Sequence, residues 1–188
     1  MNEAELIAAA RLGNTAAWEE LVSTHQQPVF RLAYLLLGDP DEAQDIAQEA
    51  FIRAYYALPR FDLSHPLRPW LLRIVSNLTK NRHRSLGRFF AALGRFSREP
   101  EPASPASDDA ELLWQAIRRL ARPHQQALYL RYFMDMSEAE IAQTLDIAPG
   151  TVKSRLHRAQ HSLRDLIARD YPDLQPEQGS AIHSDGET

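Results

Sequence analysis

From Ser137 to Ala159 the chain reads SEAEIAQTLDIAPGTVKSRLHRA, and no other stretch constrains the fold as much. Ser137 suits a helix N-cap, and Glu140 three residues on completes the spacing of a capping box. Ile141, Ala142 and Leu145 follow at helical spacing. Ala142 is small, so a second helix crosses close by. Asp146 falls where the chain must turn left-handed, a conformation that Asp tolerates better than most residues and Gly better still. Pro149 restarts the chain at a position where its missing N–H costs nothing. In the second helix Val152, Leu156, Ala159 and Leu163 share one apolar stripe, while Lys153, Ser154, His157 and Arg158 lie on another face. The pattern is a helix-turn-helix. A helix that is apolar on one side and basic on the other is what the DNA major groove admits; the plainer alternative is a helical hairpin with a solvated basic face.

Helical periodicity also dominates the rest of the chain. Residues 3 to 25 read as two helices broken at Gly13-Asn14. Pro28 opens another, with Val29, Leu32, Ala33, Leu36 and Leu37 inward, ending at Gly38-Asp39-Pro40. Asp41 to Leu58 is the clearest helix of the first half: Ala43, Ile46, Ala47, Ala50, Phe51, Ala54 and Leu58 fill one face, and Asp45, Gln48, Glu49 and Arg53 line a polar one. Trp70 to Arg84 is a helix with Leu71, Ile74, Val75 and Leu78 inward and Arg73, Asn77, Lys80, Asn81, Arg82 and Arg84 outward. Residues 86–107 carry Gly, Ser and three prolines without a sustained period and read as a flexible linker, although Phe89, Phe90, Leu93 and Phe96 suit a short docked helix. Asp108 or Asp109 caps the next helix, Pro123 starts another, and the polar tail from residue 169 reads as disordered. The expected fold is all-α: two small helical domains, 1–85 and 108–168, joined by a flexible linker, the second containing the helix-turn-helix.

Charge is unevenly placed. The net charge of -4 divides into about −6 over residues 1–59, about +8 over 60–98 and about −6 over the remainder. A basic block inside an acidic chain points to one surface for nucleic acid and another for a protein partner. The sequence has no cysteine, which excludes disulfides and thiolate metal sites. The start, MNEAELIAAARLGN, does not read as a secretory signal, and no apolar run reaches the roughly 20 residues of a membrane span. The expectation is a cytoplasmic protein without membrane insertion. No phosphate-cradling glycine loop, nucleophile–base pairing or metal-ligand cluster is readable; the seven His residues are scattered. No catalytic residue, metal site or cofactor is therefore expected.

Three separated stretches resemble one family in order and spacing: LGDPDEAQDIAQEAFIRAYYAL at 37–58, RPWLLRIVSNLTKNRHR at 68–84, and ALYLRYFMDMSEAEIAQTLDIAPGTVKSRLHRAQHSLR at 127–164. Together they are similar to bacterial RNA polymerase sigma factors of the extracytoplasmic-function group of the sigma-70 family. The resemblance implies that this is not an enzyme but a factor that binds core RNA polymerase and directs transcription initiation at chosen promoters, under the control of an anti-sigma factor. It implies polymerase binding by Asp45, Gln48, Glu49 and Arg53 on the clamp helices of the largest subunit, and contact of Arg131 and Tyr132 with the flap of the second-largest subunit. It implies that the loop Leu63, Ser64, His65 and Pro66, with Asn77, Asn81, Arg82 and Arg84, captures the melted minus-ten element. Finally it implies that Lys153, Ser154, His157 and Arg158 read the minus-thirty-five element, with Thr151 and Arg155 on phosphates. Family members often carry Ser where Ala148 stands here. The rival reading is a stand-alone helix-turn-helix regulator whose N-terminal domain senses a ligand or dimerises.

Overall fold

The computed structural model describes residues 1–93 and 108–171, with the side chains of residues 84–93 and 108 left aside. The described residues are helical throughout, without a strand, as expected. The first domain holds α1 (Glu3–Arg11), α2 (Thr15–Leu37), α3 (Pro40–Ala57), a 3-10 turn (Leu58–Arg60) and α4 (Leu67–Leu93). The second holds α5 (Asp108–Arg118), α6 (Arg122–Leu128), a π-helical turn (Tyr129–Phe133), α7 (Glu138–Leu145) and α8 (Pro149–Asp170).

Polar residues at the helix starts fix the register of the first domain. Asn2 and Glu5 form a capping box at α1. Asn14 accepts from the Ala17 N–H at α2, and the Asp39 carboxylate accepts from the Glu42 N–H at 2.9 Å, with Pro40 as the first residue of α3. Gly38 ends α2 at φ 77°, where a Cβ would be strained, and donates to the Tyr34 carbonyl. The inner face of α3 is mostly alanine: Ala43, Ala50 and Ala54 are fully buried. Small residues let α3 approach α2 and α4 closely, so packing compensates for their modest apolar area.

Several elements differ from the expectations. Pro28 does not open a helix; it lies inside α2, which runs unbroken for 23 residues. An interior proline forfeits one helix bond at a cost of about 3 kcal/mol or more. Burial of Leu21, His25, Val29, Leu32 and Ala33 on both sides of it holds the helix together. The His25 ring, itself buried, meets the Glu3 carboxylate at 3.0 Å, and the other Glu3 oxygen accepts from the Leu67 N–H. One N-terminal side chain thus joins α1, α2 and the start of α4.

Helix α4 begins before Trp70 because Pro69 sits in its first turn, where no N–H partner is required. It also runs past Arg84 to Leu93, so the Phe-rich segment is helical as far as residue 93. Residues 94–107, most of the expected linker, lie outside the described residues, as does the tail from 172. Leu72, Ser76 and Thr79 are buried beside the expected Leu71, Val75 and Leu78. The reason is that α4 packs against α2 and α3 on one side and against α7 of the second domain on another.

In the second domain, α5 starts at Asp108 itself. Pro123 lies in the first turn of α6, and a π-helical turn, not foreseen, follows at Tyr129–Phe133. Trp114, Tyr129 and Phe133 pack ring against ring at centroid distances of 5.1–5.7 Å. Burial pushes the Tyr129 hydroxyl up to about 12. At the far end Arg119 pairs with Asp170 at 2.6 Å and fastens α5 to the last turn of α8.

Candidate nucleic-acid interface

The helix-turn-helix is built as its sequence indicates. The Ser137 hydroxyl accepts from the Glu140 N–H at 3.3 Å, and the Glu140 carboxylate accepts from the Ser137 N–H at 2.8 Å. The Ser137 N–H and the Ser137 hydroxyl both donate to the Glu140 carboxylate and hold it below its usual range. Asp146 takes the left-handed conformation at φ 56°, ψ 50°. Ala148 occupies the N-cap of α8 with no side-chain bond to the helix N–H groups. Val152, Leu156 and Ala159 are buried, so α8 turns its opposite side outward. Thr151, Lys153, Ser154, His157 and Arg158 are exposed there and Arg155 is half-buried. The Arg158 guanidinium donates to the Ser154 carbonyl at 3.2 Å and to its hydroxyl at 3.3 Å. Both bonds turn the Arg158 side chain back along the exposed face of α8.

The second surface lies on α4 and the loop before it. Leu63, Ser64, His65 and Pro66 are all exposed. Asp62, absent from the expectations, organises this loop. Its carboxylate accepts from the Ser64 N–H at 2.9 Å and its carbonyl from the His65 N–H at 3.1 Å. The bonds from Ser64 hold the Asp62 carboxyl below its usual range. An Asp two residues before the N–H it accepts was the available signal. Asn77 and Asn81 are exposed one helical turn apart on the same side of α4. Arg82 lies toward Glu42 at 3.6 Å, and the Arg84 side chain falls outside the described set. Next to them the half-buried His83 ring donates to the Leu36 carbonyl at 3.2 Å. Burial there lowers its proton affinity.

The third surface is the outer side of α3. Asp45 and Gln48 are exposed, Glu49 is half-buried, and Arg53 pairs with Glu49 at 2.7 Å. The stripe does not stop at Arg53. Ile52 is 53% exposed, Tyr55 41% and Tyr56 79%. The spacing 45, 48, 52, 55 puts these apolar groups on the acidic face, a signal the sequence reading passed over. Exposed large apolar side chains beside a polar stripe mark a protein-docking surface. Tyr132 of the second domain, 58% exposed, bonds to Gln160, whereas Arg131 donates inward to the Met136 carbonyl.

Comparison with known proteins decides what these surfaces belong to. Residues 21–89 match the family model of sigma-70 region 2, and residues 110–159 that of sigma-70 region 4. A relative, the ECF RNA polymerase sigma factor SigW of Bacillus subtilis, is 32% identical over 86% of this chain and 94% of its own. The chain belongs to the ECF sigma factors of the sigma-70 family.

Two solved structures share the fold, the first of them a sigma factor. RpoE of Bartonella quintana, in complex with the anti-sigma factor NepR, superposes with a TM-score of 0.68 at 26% identity, covering 81% of this chain and 97% of that one. CnrH, bound to the cytosolic domain of CnrY, gives 0.69 at 26% identity, covering 89% and 98%. As a sigma factor the protein binds core RNA polymerase and promoter DNA and directs transcription initiation. Region 2 contains the α3 stripe and the α4 surface, and region 4 contains the helix-turn-helix. No helix among the described residues is long and apolar enough to cross a membrane.

Proposed function

We propose that this sigma factor divides its work among the three surfaces. The stripe Asp45, Gln48, Glu49 and Arg53, extended by Ile52 and Tyr55, docks on the clamp helices of the polymerase largest subunit. The loop Leu63–Pro66, with Asn77 and Asn81, captures unstacked bases of the melted minus-ten element, and Arg82 and Arg84 meet its phosphates. Lys153, Ser154, His157 and Arg158 read the minus-thirty-five element, with Thr151 and Arg155 on the backbone. Tyr132 faces the polymerase flap. The domains divide as 1–85 and 108–168. The protein forms no bond itself and is not an enzyme; the polymerase makes the phosphodiester bonds, in the cytoplasm. Its solved relative RpoE is held by an anti-sigma factor, and an anti-sigma partner restrains this protein in the same manner.

The observation that carries this reading is the segregation of exposed chemistry. Acidic and apolar groups occupy α3, amides and a constrained loop occupy α4, and a basic face occupies α8. Opening a duplex requires groups that hold unstacked bases, and stacking or pocket contacts contribute roughly 1–3 kcal/mol per base. Basic side chains add the salt-dependent attraction that ignores sequence. A repressor that binds only duplex DNA needs no strand-capturing surface.

The test is run-off transcription by purified core polymerase on fragmented bacterial genomic DNA, with and without the protein. Discrete start sites that require the protein are expected, and they define its promoter motif. Silence from folded protein, together with a footprint by the protein alone, points instead to the stand-alone regulator.

A further inference from the structure

The loop before α4 is exposed from Asp62 to Pro66, yet the residue on each side of it is buried. Phe61 packs on Trp70 at a centroid distance of 4.8 Å, and Leu67 is 1% exposed. Backbone groups of both anchors are met by side chains from the start of the chain. The Arg11 guanidinium donates to the Phe61 carbonyl, and its Nε donates to the Leu58 carbonyl at 3.0 Å. The Glu3 carboxylate accepts from the Leu67 N–H at 3.3 Å. Glu3 and Arg11 are the first and last residues of α1.

Each contact answers a local need. Leu67 opens α4, so its N–H has no partner within that helix. Pro66 before it has no side-chain oxygen to act as a cap. A carboxylate at this end also suits the helix dipole. Glu3 is itself held by the buried His25 ring at 3.0 Å. At the other end Arg11 ties down the 3-10 turn and Phe61, where the chain enters the loop. Between the two lies a helix of nine residues, closed at its start by the Asn2–Glu5 capping box. Such a helix is stiff and keeps its ends about 12 Å apart. It precedes residues 21–89, the segment matched to sigma-70 region 2.

A loop catches an unstacked base only in its receptive shape, and apparent affinity falls with the fraction of time spent in that shape. The Asp62 turn shapes the middle of the loop. Fixed ends are a separate requirement, because the freedom of a loop grows with the length of chain left untethered.

We propose that α1 is a brace for the strand-capturing loop, with Glu3 and Arg11 as positioning residues for minus-ten recognition. Neither side chain touches DNA; each acts through the backbone at one end of the loop, and His25 holds Glu3 in place. The proposal rests on the assignment of Leu63–Pro66 to the minus-ten element made above.

The chain has no cysteine, so a nitroxide attaches cleanly at Leu63→Cys, an exposed loop position. Its continuous-wave resonance line on the full-length protein reads loop motion on the nanosecond scale. Glu3→Ala and Arg11→Ala are each expected to shorten the rotational correlation time at least about twofold. Arg11→Lys, which keeps the charge and one of the two carbonyl bonds, falls between. Ile7→Val, a buried α1 residue that makes neither bond, lowers the melting temperature and leaves the line unchanged. In the unlabelled protein, at saturating core polymerase, affinity is measured for a single-stranded oligonucleotide carrying the minus-ten sequence found by run-off mapping. The two alanine variants bind it about three- to tenfold more weakly, Arg11→Lys loses less, and Ile7→Val matches the wild type.

An unchanged line in Glu3→Ala and in both Arg11 variants overturns the proposal. So does a loosened loop that binds the oligonucleotide as the wild type does, or an equal loss in Ile7→Val, which would make the effect one of general stability. The resonance line does not depend on what the loop binds. A wild type that ignores the oligonucleotide while the alanine variants loosen the loop therefore removes the minus-ten assignment and leaves the brace. A wild type that binds it, with a loop as still in every variant, removes the brace alone.

Discussion

The first domain assembles its core from four helices. Leu32, Ala33, Ala43, Ala50, Ala54, Leu58, Leu72 and Val75 meet from positions up to 43 residues apart, each with at most 1% exposure. The second domain keeps a smaller apolar cluster of its own, Leu120, Leu128 and Ala159 with Leu163 against them. Several of its other buried residues, Met134, Met136, Ile141, Val152 and Leu156 among them, belong to the cluster shared with the first domain. In their place the second domain has strong local devices: a capping box, a left-handed turn, a proline at a helix start and an ion pair from Arg119 to Asp170. Small domains gain little from burial alone. The second domain therefore relies on caps and turns for its shape and on its neighbour for part of its stability.

The largest effect is expected from Leu72→Ala in α4. Removing a fully buried leucine costs about 2–5 kcal/mol. Denaturant unfolding of the full chain should show the first domain losing this stability, with the signal of the second domain shifting by less. Equal loss in both would mean that the cores are one cooperative unit and would dissolve the contrast.

Next in size is the double variant Lys153→Ala, Arg158→Ala. Each lost base contact costs about 1–3 kcal/mol of discrimination. Binding to promoters found by run-off mapping should weaken at least fivefold and lose preference for the upstream element. The melting temperature should stay unchanged, since both side chains are exposed. Intact promoter choice would mean that α8 presents a different face to DNA.

Ala148→Ser sharpens the claim that local capping governs the second domain. A hydroxyl at this empty cap position should add about 0.5–2 kcal/mol. A rise in the thermal midpoint of the full chain is the expected reading, with no change in the first-domain signal.

The smallest effect concerns pH. Burial pushes the His83 imidazole below its ordinary 6.5, with Arg122 adding to the push and the Leu36 carbonyl and Glu42 opposing it. The folded ring thus protonates at lower pH than the unfolded one. Between the two values the unfolded chain holds more protons, so stability falls as pH drops below about 6.5. His83→Gln should flatten the melting temperature in that window. Arg122 is a second-domain residue, so a slope that survives the substitution would place the titrating group elsewhere in the molecule.

Much of the candidate site was legible because its signals are local. Asp45, Gln48 and Glu49 on one side of α3, Asn77 and Asn81 one turn apart, and the exposed basic face of α8 follow from helical period alone. The apolar extension of the α3 stripe, Ile52, Tyr55 and Tyr56, was hidden because an apolar residue reads as core until its helix is seen packed. Asp62 was hidden because a lone acid in a basic block carries no period.

The sequence by itself determined the all-α class, the helix-turn-helix and its caps, and the segregation of charge, since each is set within one or two turns of chain. The tertiary structure alone decided that α2 passes through Pro28, that a π-helical turn follows α6, and that α4 is buried on the side facing α7. It also decided that the Asp146 carboxylate meets Arg73. Those outcomes depend on residues brought together from distant parts of the chain, such as Arg73 and Asp146. Their contact energies offset local penalties that no reading of neighbouring residues weighs.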